Sequence, residues 1–441
     1  MSWEKVKLGN VLKQYRIEHL VQEKIDYKQV TISKHDGVRL RGIKNGKDIG
    51  RKRQFIIDLV KYPNTFMFVR QGVQDGSLGI APLEVDGCIA TENMPMFSVE
   101  NIEIEYLKLV IVSRIFKNEV SKITTTGSAQ KSIHENQLLE VEIPFPSTKE
   151  QLEIVKAFSE IENKNLEIAT ELTHQRDLVK KLKQQLLNDA VQGKLVPQNF
   201  NDEPASVLLA RIKTKKAQSG KKEKPLPLIT KTEIPFEIPN NWVWCRLGEI
   251  CRITGGGTPS MANEEYWNGN IPWISPKDMW VDFVRDSEMK ITSKAVLESA
   301  ANLIPIGSLL IVGRSGILKR KLPVAINEIE CTVNQDIKVV IPHLVLMNRY
   351  LQLMFNGMEK RILQNYVKYG MTVHSLKYDE FSQMPIPIPP LAEQARIVEK
   401  LEHLMMVNNT LETQITESAA LNAQLLQQVL REALKNEGIK E

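Results

Sequence analysis

Two stretches of this chain carry apolar residues in alternating steps of about four and three. The first runs through Ile154, Phe158, Ile161, Ile168, Leu172, Val179, Leu182 and Leu186, the second through Ile397, Leu401, Leu404, Leu411, Ile415, Leu425 and Val429. This spacing keeps one stripe of a helix apolar and predicts a coiled-coil seam in each stretch. Each helix would hold about 40 residues and reach roughly 60 Å at 1.5 Å per residue. That is too long for one element of a compact domain, so each reads as a spacer between globular parts. Asn165 interrupts the first seam and Asn408 the second. An asparagine there lowers stability but can fix register, because its amide needs a mate in an apolar stripe. Asn165 and Asn408 are expected either to pair across the two helices or to sit tolerated near water, with Leu172 and Ile415 packing in the same seam.

Before each helix stands a proline-rich edge, Ile143-Pro144-Phe145-Pro146 and Ile386-Pro387-Ile388-Pro389-Pro390. Proline lacks an amide donor and clashes with the preceding turn, so neither edge is helix interior. Ser147 or Thr148 is placed to cap the first helix, with Glu150 and Gln151 in its opening turn. Residues 1–145 and 241–388 instead mix short β-rich runs with turns. Examples are Asn64 to Val69, Ser308 to Val312 and Ile337 to Ile341. The expected domains are 1–146, a long helix 147–192, a linker 193–240, a second globular part 241–390 and a second long helix 391–436. The linker carries six prolines from Pro197 to Pro239, and a basic run from Arg211 to Lys224 that includes Lys213, Lys215, Lys216, Lys221 and Lys222. Such a run is either a solvated stretch or a phosphate contact.

The two halves repeat each other. Gly127, Ser132, Ile143, Pro144, Pro146, Glu150, Gln151, Ile154 and Val155 recur 243 positions later as Gly370, Ser375, Ile386, Pro387, Pro389, Glu393, Gln394, Ile397 and Val398. Trp3 before Leu8-Gly9 matches Trp242 before Leu247-Gly248, and Asn165 matches Asn408. A repeat of this length means a duplicated supersecondary unit. If the two helices pack antiparallel, the globular parts lie at opposite ends about a pseudo-two-fold axis, a symmetry the duplex DNA backbone shares. Between its Glu-Gln start and the Leu182/Leu421 region the first half has four more residues than the second. An extra helical turn or a longer loop would account for them.

Composition narrows the function classes only a little. The chain has 441 residues, enough for two or three domains, with 42% apolar and 25% charged residues. The formal net charge of +5 suits a nucleic-acid binder and many other proteins alike. No run approaches the roughly 18 apolar residues of a membrane span, and Met-Ser-Trp-Glu-Lys lacks a signal peptide's apolar core, so a cytoplasmic protein is expected. Cys88, Cys245, Cys251 and Cys331 are scattered, outside any zinc-ligand spacing, and read as reduced, buried small hydrophobes.

Candidate chemistry concentrates on base and phosphate recognition. Arg and Asn/Gln side chains match guanine and adenine edges in the major groove. In both halves an Arg leaves a strand end and an amide follows about twenty residues on. Arg70, Gln71, Asn93 and Lys131 are the candidates in the first half; Thr258, Ser275, Lys277, Arg314, Ser315, Lys319, Arg320, Asn334, Gln335 and Thr372 are those in the second. The cluster Arg314, Ser315, Lys319, Arg320 and Lys321 reads as a loop facing phosphates and bases. Asn93, Asn334 and Gln335 equally suit loops that they tie down.

The second half also carries longer strings: Thr254-Gly255-Gly256-Gly257-Thr258-Pro259-Ser260, Tyr266-Trp267, Ile271-Pro272-Trp273-Ile274-Ser275-Pro276-Lys277-Asp278-Met279, Leu303-Ile304-Pro305, Asn334-Gln335-Asp336-Ile337-Lys338 and Pro387 to Gln394. These closely resemble the target-recognition domains of specificity subunits of Type I restriction-modification enzymes. Asp75-Gly76, Gly79-Ile80 and Asp86-Gly87 in the first half look like another subclass of that domain, and Gly193 to Pro197 with Asp202 to Ser206 look like the family's linker. The resemblance implies an α+β fold: two α/β target-recognition domains separated by two long antiparallel coiled-coil helices. It also implies a non-catalytic reader of double-stranded DNA whose two domains take different half-sites, giving an asymmetric bipartite target. The helices would set the gap and dock two methyltransferase subunits, and through them restriction/translocase subunits. S-adenosylmethionine, ATP and Mg2+ would belong to those partners, with no cofactor in this chain.

Two other readings account for less. A DNA methyltransferase would need an Asn/Asp/Ser-Pro-Pro-aromatic loop to hold a flipped base, but Pro389-Pro390 lies between Ile388 and Leu391. Gly255-Gly256-Gly257 lacks the context of a nucleotide-binding turn, and no G-x-x-x-x-G-K-[ST] is present. Asp336-Ile337-Lys338 resembles half of a nuclease D-x-K pair with no second acid. A protein-only coiled-coil scaffold accounts for the helices but not for two elaborated globular halves.

Overall fold

The computed structural model describes residues 3–124, 132–218 and 225–435. Contacts divide the chain into two units, residues 1–174 with 415–441, and residues 175–414.

In the first unit a short strand, Lys5–Lys7, pairs antiparallel with Glu142–Pro144, the edge that precedes the first long helix. A four-stranded antiparallel sheet has the order Leu12–Tyr15, Met96–Val99, Thr65–Phe68, Leu78–Ile80. The Thr65–Phe68 strand is buried on both faces. Strand alternation sends Phe66 and Phe68 into a core with the helices Ile104–Val112 and Arg114–Ser121, while Met67 enters a separate core shared with the second sheet. That second sheet has five strands in the order Glu18–Leu20, Arg53–Ile56, Ile89–Ala90, Asp26–Ser33, Gly37–Asn45.

The second unit repeats the frame and changes the filling. Val243–Arg246 pairs antiparallel with Pro385–Ile388, its proline edge. A five-stranded sheet has the order Cys251–Gly255, Ile337–Pro342, Leu309–Val312, Val324–Asn327, Phe283–Val284. Two three-stranded sheets lie beside it, one centred on Trp267–Ile274 and the other on His374–Leu376. All four cysteines are free and buried. Burial raises the Cys245 and Cys251 thiols well above their usual range, so both are small core hydrophobes.

The repeat extends to individual hydrogen bonds. Tyr106 donates its hydroxyl to the Pro144 carbonyl at 3.0 Å, and Tyr350 to the Pro387 carbonyl at 3.0 Å. Gln151 donates to the Pro146 carbonyl at 2.9 Å, and Gln394 to the Pro389 carbonyl at 3.0 Å. Both glutamines are 1% exposed. They fasten each proline edge to the first turn of its helix, which is why Glu-Gln recurs at both helix starts.

The long helices span Thr148–Val191 and Leu391–Lys435, 44 and 45 residues. Ser147 and Glu150 form the expected cap, with Ser147 donating from backbone and hydroxyl to the Glu150 carboxylate at 2.9 and 2.6 Å. In the first unit Ile154, Val155 and Phe158 share a core with Leu426, Val429, Leu430 and Leu434. Asn165 meets Asn422, so residue numbers rise along one helix as they fall along the other and the pairing is antiparallel. In the second unit Leu186, Leu187, Ala190 and Val191 join Ile397, Leu401 and Met405 in one core.

Three expectations need correction. Asn165 does not pair with Asn408. The Asn165 amide donates to the Asn422 side chain at 2.9 Å and to its backbone carbonyl at 2.7 Å, and Asn422 donates back to the Asn165 carbonyl at 3.0 Å. Antiparallel pairing gives residues related by the repeat equivalent places in different units, so they are not mates. Leu425 leaves the second seam and is 49% exposed, its expected place taken by Asn422 and Leu426, and the expected seam residues Ile168, Leu182 and Leu411 are likewise exposed, at 47%, 45% and 40%. The four-residue difference also disappears. The helices differ by one residue, and the repeat pairs Leu182 with Leu425, which are 45% and 49% exposed, and not with Leu421.

The linker is also more structured than its prolines suggest. Ala205–Gln218 is a helix whose Ala205, Leu208 and Ile212 enter the second unit's core. Three of its four cations are engaged by protein: Arg211 pairs with Glu203, Lys213 with Glu249 at 2.9 Å, and Lys216 donates to the Gly248 carbonyl at 2.8 Å, while Lys215 is exposed. Lys221 and Lys222 lie outside the described residues. Arg246, 4% exposed, draws the segment after them down by donating to the carbonyls of Pro227 and Leu228 and to the Glu233 carboxylate.

Candidate nucleic-acid interface

In the second unit one backbone junction gathers most of the expected residues. Gly313 and Arg314 donate their amides to the Asp336 carbonyl at 2.7 and 3.0 Å, and the Asp336 amide is held by the Asn334 side chain at 3.0 Å. The loop after one central strand is thereby tied to the loop before another. Asn334 is 7% exposed and belongs to this tie, so it stabilises the loop and is not itself an exposed reader. Gln335 next to it is exposed and bonds the hydroxyl of exposed Thr258. Gly256 makes that approach possible: a Cβ there would stand 2.0 Å from the Val333 carbonyl. The triple glycine therefore serves close packing.

Arg314–Ser315 forms a two-residue strand with His374 and Ser375 across from it. Ser315 accepts from the Ile317 amide at 3.3 Å and caps the short turn that carries Lys319. Arg314, Lys319 and Arg320 are exposed and make no ion pair among the described residues. Thr372 lies in the neighbouring turn, close enough that a Cβ on Gly316 would meet its carbonyl at 3.3 Å. That turn is pinned by the Gly370 amide donating to His374 Nδ1 at 3.2 Å, and it presents Met371 wholly to solvent. Ser275 is spent as a cap, bonded with its own amide and hydroxyl to Asp278 at 2.8 and 2.9 Å, while Lys277 beside it is exposed. The Ile274 carbonyl accepts the Asn334 amide at 2.9 Å, which brings this cap to the same junction.

The first unit treats its candidates differently. Arg70 is not an exposed fork. Its Nε and Nη2 bind the Glu135 carboxylate at 3.1 and 2.6 Å, with the two side chains 16% and 10% exposed. Arg16 joins the same carboxylate at 3.3 Å. Burial opposes the Glu135 charge, but the Arg70 hydrogen bonds, a backbone bond and the two guanidinium charges outweigh it and keep the carboxyl below its usual range. Asn93 uses its carbonyl to hold the Arg70 amide at 3.1 Å, and its side chain is half-buried. Gln71 is exposed, and Lys131 lies outside the described residues. Glu135 was invisible to a search for cations and amides, and the repeat gave no signal for it, since the matching position 378 holds a tyrosine.

In the helix seams, the Asn165–Asn422 layer sets Leu172, seven residues on, opposite Ile415, seven residues back. Both are half-buried.

The sequence model of the family described as Type I restriction modification DNA specificity domain matches residues 2–175 and 239–420. The chain belongs to this family. The specificity subunit of the Escherichia coli Type I restriction enzyme EcoR124I/EcoR124II is 43% identical over 185 residues, covering 42% of this chain and 45% of the relative. That of EcoAI, also from Escherichia coli, is 30% identical over 279 residues, covering 60% of this chain and 46% of the relative. In each case the match takes in less than half of the relative's own length. The crystal structure of the HsdS subunit from Thermoanaerobacter tengcongensis aligns over 98% of this chain and 96% of that chain, with a TM-score of 0.60 and 18% identity, a likeness of fold. The gap between the two matched segments of the specificity-domain family falls on the second part of the first long helix and on the linker. No helix among the described residues is long and apolar enough to cross a membrane.

Proposed function

We propose that this chain is the non-catalytic DNA-specificity subunit of a Type I restriction-modification enzyme. Each globular part, bounded at about 1–146 and 241–390, reads its own portion of a bipartite, asymmetric target in double-stranded DNA in the cytoplasm. One observation carries the reading: the frame is duplicated down to the Tyr-to-Pro and Gln-to-Pro hydrogen bonds, while the loops around it are not. Shared frames with unlike loops suit two readers of different bases. In the second unit Arg314, Lys319, Arg320, Gln335 and Thr258 supply exposed cations and amide or hydroxyl groups to that end.

The long helices support docking of two methyltransferase subunits. Leu166 and Leu421 in the first unit are 66% exposed, and Met406 in the second is 61% exposed, apolar surface that the helix pairs leave uncovered. S-adenosylmethionine, ATP and Mg2+ belong to the methyltransferase and restriction/translocase partners. Genome-wide methylation mapping tests this reading: exchanging residues 1–145 for the corresponding part of a relative should change one half of the methylated target and leave the other. A change in both halves, or in neither, would overturn it.

A further inference from the structure

Arg70 is locked to Glu135, so the first unit needs another surface to meet DNA. We propose that its β-ribbon, Asp26–Ser33 with Gly37–Asn45, enters the major groove of duplex DNA; this rests on the DNA-reading function proposed above. Charge is the first observation. Between residues 24 and 53 stand ten Lys/Arg and three Asp, a net excess of seven, whereas the whole chain carries only +5. The positive potential of the molecule is therefore concentrated in this segment, and the remainder is slightly negative. Few of these cations are neutralised. Arg39 pairs with Asp36 at 3.4 Å, Lys52 with Glu23 at 3.6 Å and Arg53 with Glu18, but exposed Lys28, Arg41 and Lys44 make no ion pair among the described residues.

Geometry is the second observation. Gly37–Asn45 is the outermost strand of its sheet. Its start is covered, since the Leu40 amide donates to the Glu84 carboxylate at 3.3 Å. From Arg41 onward the register slips by one residue, with Gln29 opposite Gly42 and Val30 opposite Leu40. Gly42 has φ +144°, and a Cβ there would meet nothing within 4 Å. A bulge of this kind bends a strand and increases its twist. Here it makes Arg41 the extra, exposed residue. The ribbon is closed at both ends, by Asn45 donating to Asp26 at 2.7 Å and by the Asp36 amide donating to the Ser33 hydroxyl at 3.0 Å. A major groove about 12 Å wide admits a two-stranded ribbon of this kind. Charges also protect edge strands from pairing with other chains, but either sign serves that purpose. A single sign at this density selects a polyanion.

The test uses the chain in complex with its methyltransferase partner and duplexes bearing the methylated target or a scrambled sequence. Binding is measured by anisotropy across a salt series. The triple variant Lys28→Gln/Arg41→Gln/Lys44→Gln is expected to lose about tenfold or more in affinity for the target, and the slope of log K against log salt to fall by up to about three. A matched variant, Arg114→Gln/Lys117→Gln, removes exposed cations from a helix of the same unit and should bind as wild type. Equal losses from both variants, or none from a triple variant that melts like wild type, would overturn the ribbon while leaving the reading function standing. Failure of the wild-type complex to prefer target over scrambled duplex would overturn both.

Discussion

Replacing Asn408 with leucine is expected to stabilise the second unit. The two helix seams carry asparagine at matching points but surround it differently. Asn165 is answered by Asn422 through three hydrogen bonds of 2.7 to 3.0 Å. Fourteen residues on along the first long helix, and fourteen back along the second, stand Val179 and Asn408. They are 8% and 1% exposed, so the seam layer that answers Asn165 with an amide answers Asn408 with an aliphatic side chain. Neither Nδ2 nor Oδ1 of Asn408 has a partner among the described residues. An unsatisfied buried polar group costs about 1–3 kcal/mol, and leucine copies the branching of asparagine while removing both polar atoms.

Asn408→Leu should therefore gain about 1–3 kcal/mol in urea unfolding. At about 2–4 °C per kcal/mol for a unit of this size, the gain is readable by calorimetry. Asn165→Leu should do the opposite and cost about 1–2 kcal/mol, because it deprives the Asn422 carbonyl of its donor inside the seam. The contrast is the point of the experiment, since one substitution made at two repeat-related positions should change sign. A loss on Asn408→Leu would show that its amide is hydrogen-bonded in solution and would refute the reasoning.

Three further outcomes follow from buried or bonded acids. Arg70→Ala should destabilise the first unit by about 1–3 kcal/mol by leaving the mostly buried Glu135 carboxylate to the longer contacts from Arg16 and Gln14, and urea titration of wild type should show that stability present at neutral pH and declining as acid protonates the depressed Glu135 carboxyl. Glu233, held to about 2 by hydrogen bonds from Arg246 and Thr230, should keep the 225–239 segment resistant to acid-stable proteases as pH falls from about 4.5 towards 2; Glu233→Gln should expose it already at neutral pH. The Glu393 carboxyl is raised mainly by burial, with Oε2 unpartnered among the described residues, so wild-type stability should fall as pH rises through that raised value; Glu393→Gln should melt higher than wild type at pH 8 and lose the advantage in acid.

What the sequence disclosed and what it hid follow from the range of the forces involved. The long helices, the proline edges and the Ser147–Glu150 cap are set by residues within a few positions of one another, and a period or a missing amide shows them directly. The duplicated frame was legible because Gln151 and Gln394 bond to carbonyls five residues back, so each half carries its own complete copy of the contact. The seam partner of Asn165 was not legible, because Asn422 lies 257 residues away and its polarity removed it from an apolar pattern. Arg70 misled for a related reason: an arginine at a strand end looks the same whether its fork meets a base or a carboxylate, and Glu135 is 65 residues distant. The ribbon's charge was in plain view but spread over strands whose alternation scatters it along the chain. Only the fold places Lys28, Arg41 and Lys44 on one ribbon, with the bulge that leaves Arg41 unpaired in the ladder. The proposed base and phosphate contacts are thus the least local property of this chain, since the loops assigned to them are held by the duplicated frame while their chemistry would answer to a ligand outside it.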